Sequence, residues 1–126
     1  MSVSVDQSTP EQQAPALVLE DRVPQALKLP RAVPGNEHIW HIYAVQVQAE
    51  RRDAVVKSMQ EQGIGVGVHY PVPIHLQGAY RSHGHRVGDF PMAERAAAEM
   101  ISLPIYPELT VAQQEQVVAA LKRALG

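Results

Sequence analysis

The chain has 126 residues, 45% hydrophobic and 19% charged, a balance that supports one domain with a packed core and excludes wholesale disorder. Its formal net charge of -2 leaves no basic surplus for a nucleic-acid backbone or an anionic membrane. There is no cysteine, so disulfide frameworks and thiolate chemistry are excluded. With aromatics at 5%, small aliphatics, mainly Ala and Val, must fill the core.

The start, MSVSVDQSTPEQQAPA, has neither a basic n-region nor an apolar h-region and is not a signal peptide. No apolar run is long enough to span a bilayer, so the expected location is the cytoplasm. Residues 1–25 read as a flexible polar lead with little apolar surface to bury. Residues 26–126 read as the folded unit. Ala26-Leu27-Lys28-Leu29-Pro30 opens it as a short strand or extended arm, and Pro34-Gly35-Asn36 is a turn signal.

Residues 39–47, IWHIYAVQV, predict a strand. Ile39, His41, Tyr43, Val45 and Val47 share one face, and Trp40, Ile42, Ala44 and Gln46 the other. Both faces are apolar over the first half, which places this strand centrally or under cover. Residues 50–62 predict a helix with a narrow stripe of Val55, Val56 and Met59, and Gly63 stands at its C-terminal cap. A second strand is expected over residues 64–70. Gly65 and Gly67 leave one of its faces nearly bare, so something can approach the backbone closely.

Residues 71–89 form a loop rich in Pro, His and Gly. Asp89-Phe90-Pro91 opens a second helix, with Asp89 as cap, Pro91 in the first turn, and Ala93, Ala96, Ala97, Met100 and Ile101 as core face. Leu103-Pro104-Ile105-Tyr106-Pro107 is extended. Thr110 with Gln113 is a capping box for a last helix. Val117, Val118, Leu121 and Leu125 are its stripe, and Lys122 and Arg123 in its final turn suit the dipole. The order predicts an α+β domain: a small, mostly antiparallel sheet with helices packed on one face.

Three histidine groups are candidates for chemistry. His38 and His41 fall on opposite faces of a strand, which is poor metal geometry. His83-Gly84-His85 lacks the third and fourth ligands that a zinc site needs. His69-Tyr70, followed by His75, differs: Pro71 and Pro73 stiffen the segment, so its side chains are held with little entropy left to lose. Imidazole and phenol can each donate and accept hydrogen bonds, which fits sugar hydroxyls or a phosphate. On residue types alone, a satisfied core histidine and a packed tyrosine explain the pair equally well. No nucleophile elbow or phosphate-binding glycine loop is present. Gly63-x-Gly65-x-Gly67 enters a strand rather than opening a helix.

His69-Tyr70-Pro71-x-Pro73-x-His75, Gly88-Asp89-Phe90-Pro91-x-Ala93-Glu94, Ser102-Leu103-Pro104-Ile105-Tyr106-Pro107 and the Thr110 helix occur in an order that resembles the C-terminal small domain of the DegT/StrS-type sugar aminotransferases. The resemblance covers residues 26–126 and is strongest to members making 3-amino sugars, including amino-uronates of surface polysaccharides. It implies the small domain of a fold-type I pyridoxal 5'-phosphate enzyme. Such enzymes move an amino group, usually from glutamate, to a nucleotide-linked keto-sugar, generally as homodimers. It also implies that His69, Tyr70 and His75 face the substrate.

That chemistry needs a Schiff-base lysine, an acid on the pyridine nitrogen and a phosphate cup. In the family these belong to the large domain, which has no counterpart in this sequence. Lys28, Lys57 and Lys122 lack the family's lysine context. The expectation is therefore a chain with no catalytic, cofactor-binding or metal-binding residue of its own. It would be inactive alone, and completed by a large domain in cis or in trans. The alternative is a non-catalytic binding module that keeps the small-domain fold.

Overall fold

The computed structural model describes residues 27–126, so the polar lead expected over residues 1–25 lies outside the described residues. Strand β1 (Tyr43–Gln46) pairs antiparallel with β2 (Met100–Leu103), Tyr43 opposite Leu103 and Gln46 opposite Met100. A single-residue bridge extends the sheet on either side. Lys28 exchanges two 2.9 Å backbone hydrogen bonds with Gln46, and Gly67 bridges Ser102. Strand β1 thus has a full partner on one side and a single bridge on the other, while Ile39 and Ile42, whose apolar character predicted a central or covered strand, stay exposed.

Both predicted strands are shorter than their sequence patterns. Trp40 sits at φ 52°, its ring stacked 3.9 Å from that of His38 and its backbone N–H donating to His38 Nδ1. A left-handed residue breaks the alternation, so Ile39 is 92% exposed and His41 is also exposed. Residues 64–70 reduce to the one bridge at Gly67. The turn at Pro34-Gly35 forms as expected, with the Asn36 N–H donating to the Val33 carbonyl.

Helix α1 (Ala49–Glu61) ends at Gly63, whose φ of 77° is left-handed. The Gly63 and Ile64 N–H groups donate to the Gln60 and Met59 carbonyls, a Schellman closure. Helix α2 (Pro91–Glu99) has Pro91 in its first turn. Two expectations fail there. Asp89 does not cap; its carboxylate accepts from the Arg86 N–H at 2.9 Å, and Phe90 occupies the cap position. Met100 and Ile101 belong to β2: the Val47 N–H donates to the Glu99 carbonyl and draws the chain into the sheet. Ala97 is buried, Ala96 half-buried and Ala93 exposed.

Helix α3 (Val111–Leu125) carries the full capping box: the Gln113 N–H donates to Thr110 Oγ1, and the Thr110 N–H to Gln113 Oε1. Its stripe packs on α1 and the sheet. Val45, Ile101, Val55, Met59 and Leu121 are fully buried, each worth about 1.5–3 kcal/mol over exposure.

Polar ties fix the helices to one another. Arg51 Nη2 donates to the Leu125 carbonyl at 2.5 Å and Arg52 Nη1 to the Ala97 carbonyl at 3.2 Å. Gln62 Nε2 donates to the Ala120 carbonyl, and Arg123 Nε to Gln62 Oε1. The result is the expected α+β arrangement. Among the described residues no helix is long and apolar enough to cross a membrane.

Candidate functional site

The segment between Gly67 and α2 runs outside the sheet and builds a cleft. Pro73, in extended backbone, leads into a short 3-10 turn, Ile74–Leu76, and a second one follows over Gly78–His83. The sequence reads as plain loop here, because one or two turns of 3-10 helix are too short to show a period. These turns face α2 across a cleft of about 560 Å³. Its walls include the rings of Tyr70, Tyr80 and Phe90, and its polar groups include His75, Gln77, His83 and His85. Aromatic walls with a few convergent polar groups are the usual make-up of a small-molecule site.

The structure brings two of the three expected residues to this cleft. Tyr70 stands at its rim, 68% exposed. His75 forms part of its wall and is buried, with Nε2 3.0 Å from Glu94 Oε1 and its ring edge-on to Phe90 at 4.9 Å. His69 lies next to Tyr70, over the sheet edge. The peptide joining them is cis, and their rings meet edge to face with centroids 5.5 Å apart. His69 Nδ1 is 2.9 Å from Ser102 Oγ. The bare face at Gly67 is thus occupied by the imidazole two residues on.

Glu94 joins the two walls. Besides His75, its Oε1 accepts from the Gly88 N–H at 2.8 Å and the Phe90 N–H at 3.4 Å. The Gly88 amide first, and then the His75 side chain and Phe90 amide, hold its carboxyl below the ordinary range; burial works the other way. In the sequence Glu94 is one member of the Gly88-Asp89-Phe90-Pro91-x-Ala93-Glu94 run, with no role of its own. The available signal was an acid in a helix's first turn, next to the unpaired amides of that end. His85, at the same rim, has Nδ1 3.5 Å from Asp89 Oδ2.

These residues do not by themselves fit pyridoxal phosphate. Among the described residues no lysine, arginine or carboxylate lines the cleft. Lys57 is exposed and paired with Glu61 on α1, Lys28 is exposed at the sheet edge, and Lys122 is exposed at the end of α3. Nothing here offers a Schiff-base amine, so no step through that cofactor follows from this chain. Among the described residues no group of three or more His, Cys, Asp or Glu side chains could hold a metal ion.

The profile of the DegT/DnrJ/EryC1/StrS aminotransferase family matches residues 12–122. A protein named pleiotropic regulatory protein, from Geobacillus stearothermophilus, is 42% identical over 101 residues, covering 80% of this chain and 27% of that one. The dTDP-3-amino-3,4,6-trideoxy-alpha-D-glucose transaminase of Streptomyces venezuelae is 37% identical over 94 residues, covering 75% of this chain and 24% of that one. The crystal structure of S. venezuelae DesV in complex with a ketimine intermediate superposes with a TM-score of 0.73 at 36% identity, covering 78% of this chain and 26% of that one. The chain therefore spans about a quarter of the length of the relatives it matches.

Proposed function

Because this chain belongs to the DegT/DnrJ/EryC1/StrS aminotransferase family, we propose that it is the C-terminal small-domain portion of a pyridoxal-phosphate-dependent aminotransferase. The complete enzyme transfers an amino group, with glutamate as donor, to a nucleotide-linked keto-sugar. A large domain, in cis or in trans, supplies the Schiff-base lysine and the cofactor site. His69, Tyr70 and His75 stand on the substrate side.

The observation that carries this reading is the cleft that holds Tyr70 and His75, in a chain 36% identical to a structure solved with a ketimine. The cleft's aromatic walls suit a sugar face or a base, and its imidazoles and amide suit hydroxyl and phosphate oxygens. Exposed Tyr70, Val72, Ile74, Phe90 and Met92 leave an apolar rim for a covering domain.

The role left to this chain is binding and orientation, which lowers the barrier by holding the reacting carbon in place. His75, fixed by Glu94, keeps the wall in shape while Tyr70 offers its hydroxyl at the mouth. A second reading, a non-catalytic binding module, is favoured by the 42% identity to a protein named as regulatory.

A chimera separates the two. Residues 27–126 replace the matching segment of the S. venezuelae transaminase, and turnover of its keto-sugar nucleotide is measured beside cofactor loading. Turnover is expected, and His69→Ala or Tyr70→Phe should weaken it more than loading. A chimera that folds and loads cofactor but does not turn over would overturn the proposal.

A further inference from the structure

We infer that Gly67 and Ser102 form a seat that fixes the His69 imidazole in one tautomer, so that Nε2–H points outward as a ready hydrogen-bond donor. Strand alternation puts the Ser102 side chain on the face opposite Ile101 and Leu103, away from the core. Yet Ser102 is only 7% exposed, and the His69 ring lies against its hydroxyl with Nδ1 2.9 Å from Oγ. The ring gets there by crossing Gly67. A Cβ on Gly67 would stand 2.7 Å from His69 Cε1 and 3.4 Å from both ring nitrogens. Gly67 itself is held to Ser102 by two backbone hydrogen bonds of 3.1 and 2.8 Å, so strand pairing and ring docking use the same two residues.

The direction of the side-chain bond follows from donor counting. Ser102 Oγ has one hydrogen, and among the described residues His69 is its sole hydrogen-bond partner. If Nδ1 donated, the buried hydroxyl hydrogen would lack an acceptor, which costs about 1–3 kcal/mol. If the hydroxyl donates to Nδ1, both groups are satisfied, and the neutral ring carries its hydrogen on Nε2. Nε2 has no hydrogen-bond partner among the described residues. It is a fixed donor beside Tyr70, suited to a carbonyl, carboxylate or phosphate oxygen. Ser102 and Gly67 are positioning residues, since neither offers the ligand a group of its own. The use of that donor rests on the substrate-side reading of His69; the seat does not.

The test is a two-bond proton–nitrogen correlation spectrum of the nitrogen-15-labelled chain at alkaline pH, where imidazole is neutral. In the wild type, His69 Nδ1 should resonate in the unprotonated range and Nε2 in the protonated range. In Ser102→Ala both should move toward the tautomer average, and Ser102→Thr, which keeps the hydroxyl on a β-branched strand residue, should restore the wild-type pattern. A protonated Nδ1, or averaged nitrogens in the wild type, would overturn the seat, whatever the fate of Ser102→Ala. If His69→Ala leaves chimera turnover intact, the substrate-side reading fails while a fixed tautomer still upholds the seat.

Discussion

Gly67→Ala places one methyl group between the backbone and a ring. The φ of Gly67 lies outside the left-handed region, unlike that of Gly63 at 77°, so alanine can take its backbone. The methyl would meet His69 Cε1 at 2.7 Å, too close to stay. What gives is the end of an exposed side chain, not the sheet. Swinging the ring away breaks the bond to Ser102, about 0.5–1.5 kcal/mol for a hydrogen bond of this kind. The vacated hydroxyl then meets water, because the ring sits at the surface. Against this, replacing glycine narrows the unfolded ensemble and returns about 0.4–1 kcal/mol. The net change should stay within about 1 kcal/mol, a midpoint shift of at most roughly 4–8 °C for a domain of this size. Thermal unfolding followed by circular dichroism gives the first number, and the His69 ring resonances should shift strongly in the same sample. A loss above about 2 kcal/mol, or unmoved resonances, would show that backbone rather than ring yields.

Two other perturbations probe the frame around the cleft. The Glu94 carboxyl is held below its ordinary value of 4.5. Its contribution should therefore be complete above that pH and fade as pH falls through the lowered folded value. Acid titration of stability should show this loss in the wild type, and Glu94→Gln should flatten that part of the curve; an unchanged curve would dismiss the clamp. Thr110→Ala removes the capping-box acceptor and should cost about 1 kcal/mol in urea unfolding, leaving the ring resonances of Tyr70 and Tyr80 in place.

What could be read from the sequence was whatever is decided within a few residues. Gly63 closes α1, and Thr110 with Gln113 opens α3, because each involves neighbours in the chain and little else. Failures occurred where distant partners decide. The alternation of residues 39–47 is real, but the His38–Trp40 stack holds Trp40 in a left-handed turn and halves the strand. Met100 and Ile101 continue the helical spacing of Ala93 and Ala97, yet pairing with Gln46 and Val45 claims them for the sheet. In the site, Tyr70 and His75 were legible because prolines flank them. Glu94 and Ser102 were not, because their roles depend on His75 and His69, 19 and 33 residues away along the chain.

The adjacent arginines at the start of α1 have a consequence for how the domain comes apart. Arg51 and Arg52 project in different directions, and each donates to a carbonyl in the last turn of another helix, α3 for one and α2 for the other. Such carbonyls have no helical donor left and concentrate the negative end of the dipole. A single turn thus acts as a common clasp on two remote ends. Fraying, which normally begins independently at each terminus, becomes a shared event: neither α2 nor α3 can unravel from its end without releasing its arginine from the first turn of α1. Opening should then proceed in few, large steps, which keeps the α2 wall of the cleft in register with the far end of α3.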